Sequence, residues 1–187
     1  MAEQLNDVNV AKIMEVDTLI RENPGLGKVK FAAKSTWHRG TKSQVSISQF
    51  TAGGNGMAAP TRRFVVMVDE PDILGGVDQA PNPVEVLLSA LAGCVTAGIA
   101  TNAQLFGVPI DGIDIDLEAD VDARGMLGHD KSVRNGVTDI RYTVTIQSSA
   151  PEDKVRKCKE TIDRKSPVRD TLANPVNITS NFVYKPR

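Results

Sequence analysis

Two cysteines and two histidines among 187 residues leave little material for several kinds of chemistry. A pair of cysteines is too few for a disulfide framework, and a reducing compartment would hold both as thiols unless they are redox-active. His38 and His129 are expected in separate polar loops, without His-Glu-x-x-His or paired-cysteine spacing, so no metal site and no cofactor are expected. Charge of one sign is missing as well: 22 basic against 23 acidic residues give a formal net charge of −1. Such a field is too weak to argue for nucleic acid or an anionic membrane as partner. The opening "MAEQLNDVNVAKIMEV" carries acids where a secretory signal has a basic start and an apolar block, so the expected location is cytoplasmic. The most apolar window, residues 86–100, runs about 15 residues, short of the roughly 20 of a membrane span, and reads as a buried helix. "GGNG" at 53–56 precedes no helix and lacks a P-loop lysine, so it cradles no phosphate. No repeat or low-complexity tract occurs.

What is present suits one domain of roughly 150 residues with an extension. Val10, Ile13, Val16, Leu19 and Ile20 stand near helical spacing and "NPGLG" stops the pattern, which sets residues 1–27 apart as an N-terminal helical extension to a domain over 28–187. "VKFAAKSTW" and "SQVSISQF" alternate apolar with polar residues around "HRGTK", predicting an antiparallel hairpin. "RRFVVMV" at 62–68 is a third strand. Asn82 as N-cap, Pro83 in the first helical position and Glu85 three residues after the cap mark the start of a helix running to about Phe106. Two alternating strands follow in "IDGIDIDLEADVDA" and "GVTDIRYTVTIQ", then a helix in "PEDKVRKCKETIDR" and a closing strand in "PVNITSNFVY". The order is that of an α+β domain with antiparallel sheet.

Chemistry, if there is any, centres on Cys94 at mid-helix. Leu87, Leu91, Val95 and Gly98 share or border its face, the usual setting of a small buried hydrophobe. A reactive cysteine needs thiolate, and three turns from the helix start the dipole contributes little. A cation must come from elsewhere, and Arg39 in the "WHRGT" hairpin loop, or His38 beside it, are the candidates.

"PDILGG", "APNPVEVLLSALAGC" and the late helix followed by "KSPVRDTL" together resemble the family of osmotically inducible protein C (OsmC) and organic hydroperoxide resistance (Ohr) proteins, over roughly residues 30–187. The resemblance implies an intertwined homodimer in which antiparallel sheets wrap two central helices, with sites at the subunit interface. It also implies a helix cysteine that attacks an organic hydroperoxide, an arginine and a glutamate that polarise the thiolate, and a second cysteine that resolves the sulfenic acid. Cys94 takes the attacking position and Arg39 the arginine position.

Two positions depart from that pattern. The family's glutamate follows Asn-Pro directly, whereas here Val84 intervenes. One residue is about 100° of helix rotation, so Glu85 turns away from the thiol and reads as the capping-box partner. The resolving cysteine is replaced by Ser166. Cys158, on the core-facing stripe Val155, Cys158, Ile162, is eight residues earlier. That is about 12 Å of helix, against the roughly 5.5–6 Å between bridged Cα atoms, so a Cys94–Cys158 disulfide is not expected. The expectation is an oxidative-stress protein whose Cys94 reacts with hydroperoxides and is reduced by an external thiol or dithiol. The alternative is a non-catalytic member that binds a small apolar or electrophilic ligand in the interface pocket.

Overall fold

A computed structural model describes residues 5–186; residues 1–4 of the extension lie outside them. Helix α1 (Val10–Glu22) is capped by Asn9, whose side chain accepts from the Lys12 N–H. Its apolar stripe is left uncovered, with Ile13, Val16 and Leu19 all exposed. Asn6 ties the extension to the domain: its side chain donates to the Val108 carbonyl at 2.8 Å and accepts from the Ile110 N–H at 2.9 Å.

Strands β1 (Val29–Arg39) and β2 (Lys42–Ala52) form the expected hairpin, but its turn is only Gly40 and Thr41: His38, Arg39 and Lys42, expected in the loop, extend the strands, because the positive φ of Gly40 closes the turn in two residues. The short β3 (Asn55–Gly56) and β4 (Phe64–Val68) pair with β2, completing a four-stranded antiparallel sheet. Every residue of β1 is exposed. An alternating strand normally gains its stability by burying one face, and this sheet has no such cover inside the chain.

The core lies in the other half. Helix α2 (Pro83–Phe106) opens on the capping box of Asn82 and Glu85. It is 24 residues long, longer than its most apolar window, and by length and composition alone it could cross a membrane. In the chain one stripe of it, Leu91, Val95, Ile99 and Ala103, packs inward. Strands β5 (Gly112–Asp120) and β6 (Asp139–Gln147) form a two-stranded antiparallel sheet, with the single-turn α3 (Ala123–Met126) in the connection between them. Their alternation turns Ile113, Ile115, Leu117, Ile140, Tyr142, Val144 and Ile146 onto the α2 stripe, joined by Val108, Cys158 and Ile162. Outside, Arg141 bridges Glu118 and Asp120.

Helix α4 (Glu152–Lys165) carries acids in its first turn and basic residues in its last, matching the helix dipole. It buries Cys158 and Ile162 against α2, and the short α5 (Pro167–Ala173) follows. The expected closing strand at 175–184 is absent. The tail finds no partner strand within the chain, and Ile178, Phe182, Val183 and Tyr184 stand in solvent. Alternating apolar residues specify a strand only where an edge is available to pair with it.

The crossing of α2 and α4 is unusually close at Gly98. A Cβ built there would lie 2.1 Å from Ile162 Cδ1 and 2.2 Å from its Cγ1. Gly98→Ala should therefore cost about 1–3 kcal/mol by overpacking. Combining it with Ile162→Ala should cost less than the sum of the two single changes. Urea titrations of the three variants measure this, and an unchanged midpoint for Gly98→Ala would show that α4 slides aside freely.

Candidate functional site

Three contacts, each one helical turn from the next, set the register of α2 against α4. The Asn102 side-chain amide donates to the Cys158 carbonyl at 3.4 Å, Gly98 lies beneath Ile162, and Cys94 Sγ sits 3.1 Å from Ser166 Oγ. Successive rungs are four residues apart on both chain segments, running in opposite directions. Cys94 is thereby brought to the end of α4 rather than its middle. It faces a hydroxyl and stays half-buried, while Ser166 is 1% exposed.

Ser166 has a second duty, because it is the N-cap of α5 and its Oγ accepts from the Arg169 N–H at 3.1 Å. With an oxygen lone pair so engaged, the hydroxyl proton remains available to the Cys94 sulfur. Either atom of the Cys94–Ser166 pair can be the donor. Cys158 sits differently. It is fully buried in the core, its Sγ lies 3.3 Å from the Lys154 carbonyl, and burial pushes its thiol up. Both cysteines are free.

Glu85 accepts from the Asn82 N–H at 2.7 Å and donates its own N–H to Asn82 Oδ1 at 2.9 Å. Its carboxylate is committed to the start of α2, about two and a half turns before Cys94. An OsmC-like protein family model matches residues 76–181, more than half of the chain and all of the helices just described from α2 onward. The chain belongs to the OsmC-like family. Among solved structures, an OsmC-like protein from Mycoplasma pneumoniae superposes with a TM-score of 0.58 at 16% identity, over 77% of this chain and 87% of that one. An OsmC-like protein of unknown function from Vibrio cholerae gives 0.54 at 11% identity, over 76% and 92%. A third, named an organic hydroperoxide resistance protein, from Legionella pneumophila, gives 0.47 at 14% identity, over 76% and 88%. At such identities the first two likenesses establish the fold and not the chemistry. No curated protein matches the chain.

In this OsmC-like chain Arg39 is not among the groups gathered around Cys94. It lines a separate cavity of about 160 Å³ with Thr41, Lys42, Asp69, Gly76 and Val77. The reason is the sheet: Arg39 ends β1, and β1 and β2 pack on each other rather than on α2. His38 is its exposed neighbour on the same strand.

Sequence reasoning passed over the residue that organises this corner. Asp69 is 1% exposed, and its carboxylate accepts from Thr41 Oγ1 at 2.6 Å, the Glu70 N–H at 2.9 Å and the Gln79 N–H at 3.2 Å. It pins the hairpin turn to the loop that leads into α2. The loop folds back so tightly that a Cβ on Gly76 would lie 1.6 Å from the Glu70 carbonyl oxygen. An acid directly before "EPDILGG" was the available signal.

Hydrogen bonding, chiefly from Thr41, holds the Asp69 carboxyl below its ordinary value. A depressed carboxyl contributes stability that is complete above its unfolded value of about 3.9 and is lost as pH falls through the folded value. Thr41→Val should accordingly unfold at lower urea concentration than the wild type near neutrality, and the gap should narrow as pH falls below the unfolded value of about 3.9 and through the folded one. A gap that stays constant throughout the acid range would mean that Thr41 acts through packing alone.

Proposed function

We propose that this OsmC-like protein is a thiol-dependent hydroperoxide reductase in which Cys94 is the attacking sulfur. The observation that carries this reading is the 3.1 Å contact between Cys94 Sγ and Ser166 Oγ. A polar hydrogen-bond donor is held, nearly dry, against the one thiol that keeps access to solvent, whereas a cysteine serving only as core filler would sit among apolar groups as Cys158 does.

The thiolate attacks the distal oxygen of the O–O bond, the alcohol leaves with a proton, and Cys94 becomes a sulfenic acid. Ser166 stabilises the thiolate but cannot condense with the product, and Cys158 is buried on another rung. Reduction then falls to an external thiol, which a cytoplasmic setting supplies: one thiol forms a mixed disulfide with loss of water, and a second releases it. No cofactor takes part. Arg39 serves the thiol only if it reaches Cys94 from a second copy of the chain, because its own chain holds it elsewhere.

A second copy is also what the uncovered surface supports. The outer side of α2, the exposed β1 and the unpaired apolar tail all need burial, and one homodimer covers them together, with α2 as a core helix and not a membrane span. The expected species is a dimer that survives dilution to micromolar concentration. A monomer by light scattering would contradict it.

Treatment with an organic hydroperoxide should convert Cys94 to a persistent sulfenic acid, detected by a dimedone adduct, or to its over-oxidised forms. Ser166→Cys should instead give an internal disulfide between Cys94 and the introduced thiol and protect Cys94 from the sulfinic state, at a cost of about 1 kcal/mol for the lost cap. Peptide mapping separates these products. A wild-type Cys94–Cys158 bridge, or no Cys94 adduct at all, would overturn the reading, and the latter would favour a non-catalytic binding protein.

A further inference from the structure

One helical turn from Cys94 along α2 lies a cavity of about 290 Å³ whose lining includes Leu91, Ile140, Tyr142, Leu172, Asp139 and two arginines, Arg134 and Arg169. Leu91 is one turn before Cys94 on α2. Arg169 is the residue whose N–H binds Ser166 Oγ. Leu91 and Arg169 thus place the cavity about one helical turn from the Cys94–Ser166 pair, which does not itself line it. The lining combines apolar side chains with two arginines against the single acid Asp139.

Neither arginine forms a salt bridge among the described residues. Arg169 donates one N–H to the Asp163 carbonyl at 3.0 Å and its guanidinium also meets the Tyr142 hydroxyl, which leaves part of its five donors for another acceptor. The Asp163 carboxylate is already taken by Tyr142 at 2.9 Å and Lys159 at 2.6 Å. An anion is what this lining lacks.

We infer that the cavity docks the reducing co-substrate, a small thiol bearing a carboxylate. The inference rests on the reading of Cys94 as a peroxidatic thiol and supplies the class of its reductant. Internal resolution is closed, since Ser166 fills the facing position and Cys158 is buried, so the second sulfur has to arrive from outside. A cavity of this volume admits a small molecule and not a folded reductase. Arginine pairs planar carboxylates through two N–H donors, and the apolar side chains take the carbon chain of the thiol. The docked thiolate attacks the Cys94 sulfenic sulfur, hydroxide leaves and is protonated to water, and an S–S bond forms. A second thiol then attacks the outer sulfur, giving the small disulfide and restoring the Cys94 thiolate.

The test uses the full-length protein, oxidised with one equivalent of cumene hydroperoxide, and three probes: 3-mercaptopropionate, 2-mercaptoethanol and cysteamine. Rates of mixed-disulfide formation at Cys94, read by intact mass, are compared per thiolate so that intrinsic nucleophilicity is removed. The carboxylate thiol should react about tenfold faster than the neutral one, and the cationic one slowest, with the spread shrinking at high salt. Arg134→Met, a change at an exposed side chain, should reduce the preference to about twofold while leaving dimedone labelling of Cys94 intact. Equal rates, or a preference that Arg134→Met does not move, would overturn the assignment. Should peroxide yield no sulfenic acid, the peroxidase reading falls on its own. Exchange of reduced Cys94 with dithiodipropionate and with cystamine then decides the cavity by the same criterion. Absence of any exchange also overturns it.

Discussion

Everything at the site follows from how closely α2 and α4 can approach. Gly98 removes the side chain that would hold Ile162 off, and the two helices then lock in one antiparallel register. Asn102 meets the Cys158 backbone one turn away, and Cys94 meets Ser166 one turn in the other direction. A slip of α4 by one residue would rotate Ser166 by about 100° and end the Cys94 contact. The dry core is both the energetic support of this register and its ruler. Val95 and Ile99, fully buried, contribute roughly 1.5–3 kcal/mol each, and they interleave with the three rungs on the same helix. The packing that stabilises the domain is thus the packing that positions its thiol.

That core is confined to one side of α2, which gives the molecule its second constraint. The opposite side of α2, the face of β1 that carries Val29, Phe31 and Trp37, and the tail beyond Ala173 present apolar groups that their own chain leaves largely exposed. The N-terminal sheet is held to the rest through Asp69 and the loop it closes rather than through a shared hydrophobic core. Cys94, half-buried at the boundary between covered and uncovered surface, keeps access to small molecules for the same reason.

Much of this was legible in the residues. Periodicity changed from 3.6 to 2 where helices gave way to strands, and the Asn82–Glu85 capping box stated both the start of α2 and the fate of Glu85. Ser166 opposite Cys94 came from the resemblance and not from spacing, because a contact between segments seventy-two residues apart in sequence leaves no local trace. Three features could not be read. The tail alternates like a strand, yet pairing depends on an edge that the sequence does not announce. Arg39 was assigned by motif, but its place depends on which elements the hairpin packs against. The two-arginine cavity joins residues from α2, the loop before β6, β6 itself and α5, and only the fold assembles them.

The two cysteines make the physical distinction plain, since nothing in their side chains separates them. Cys158 shares the dry core with Val95, Ile99 and Val108 and has a carbonyl for its thiol proton, so its neutral form is the stable one. Ionising it would place an unpaired charge in a dry interior, which is why burial pushes it up. Cys94 lies two turns along the same helix interface, where the apolar stripe ends and a capped hydroxyl begins. There the thiol has a hydroxyl partner on one side and solvent on the other. Moving one sulfur eight residues along the register changes it from packing material into an accessible thiol with a polar partner, and Gly98, which sets that register, is as much a determinant of the site as the cysteine itself.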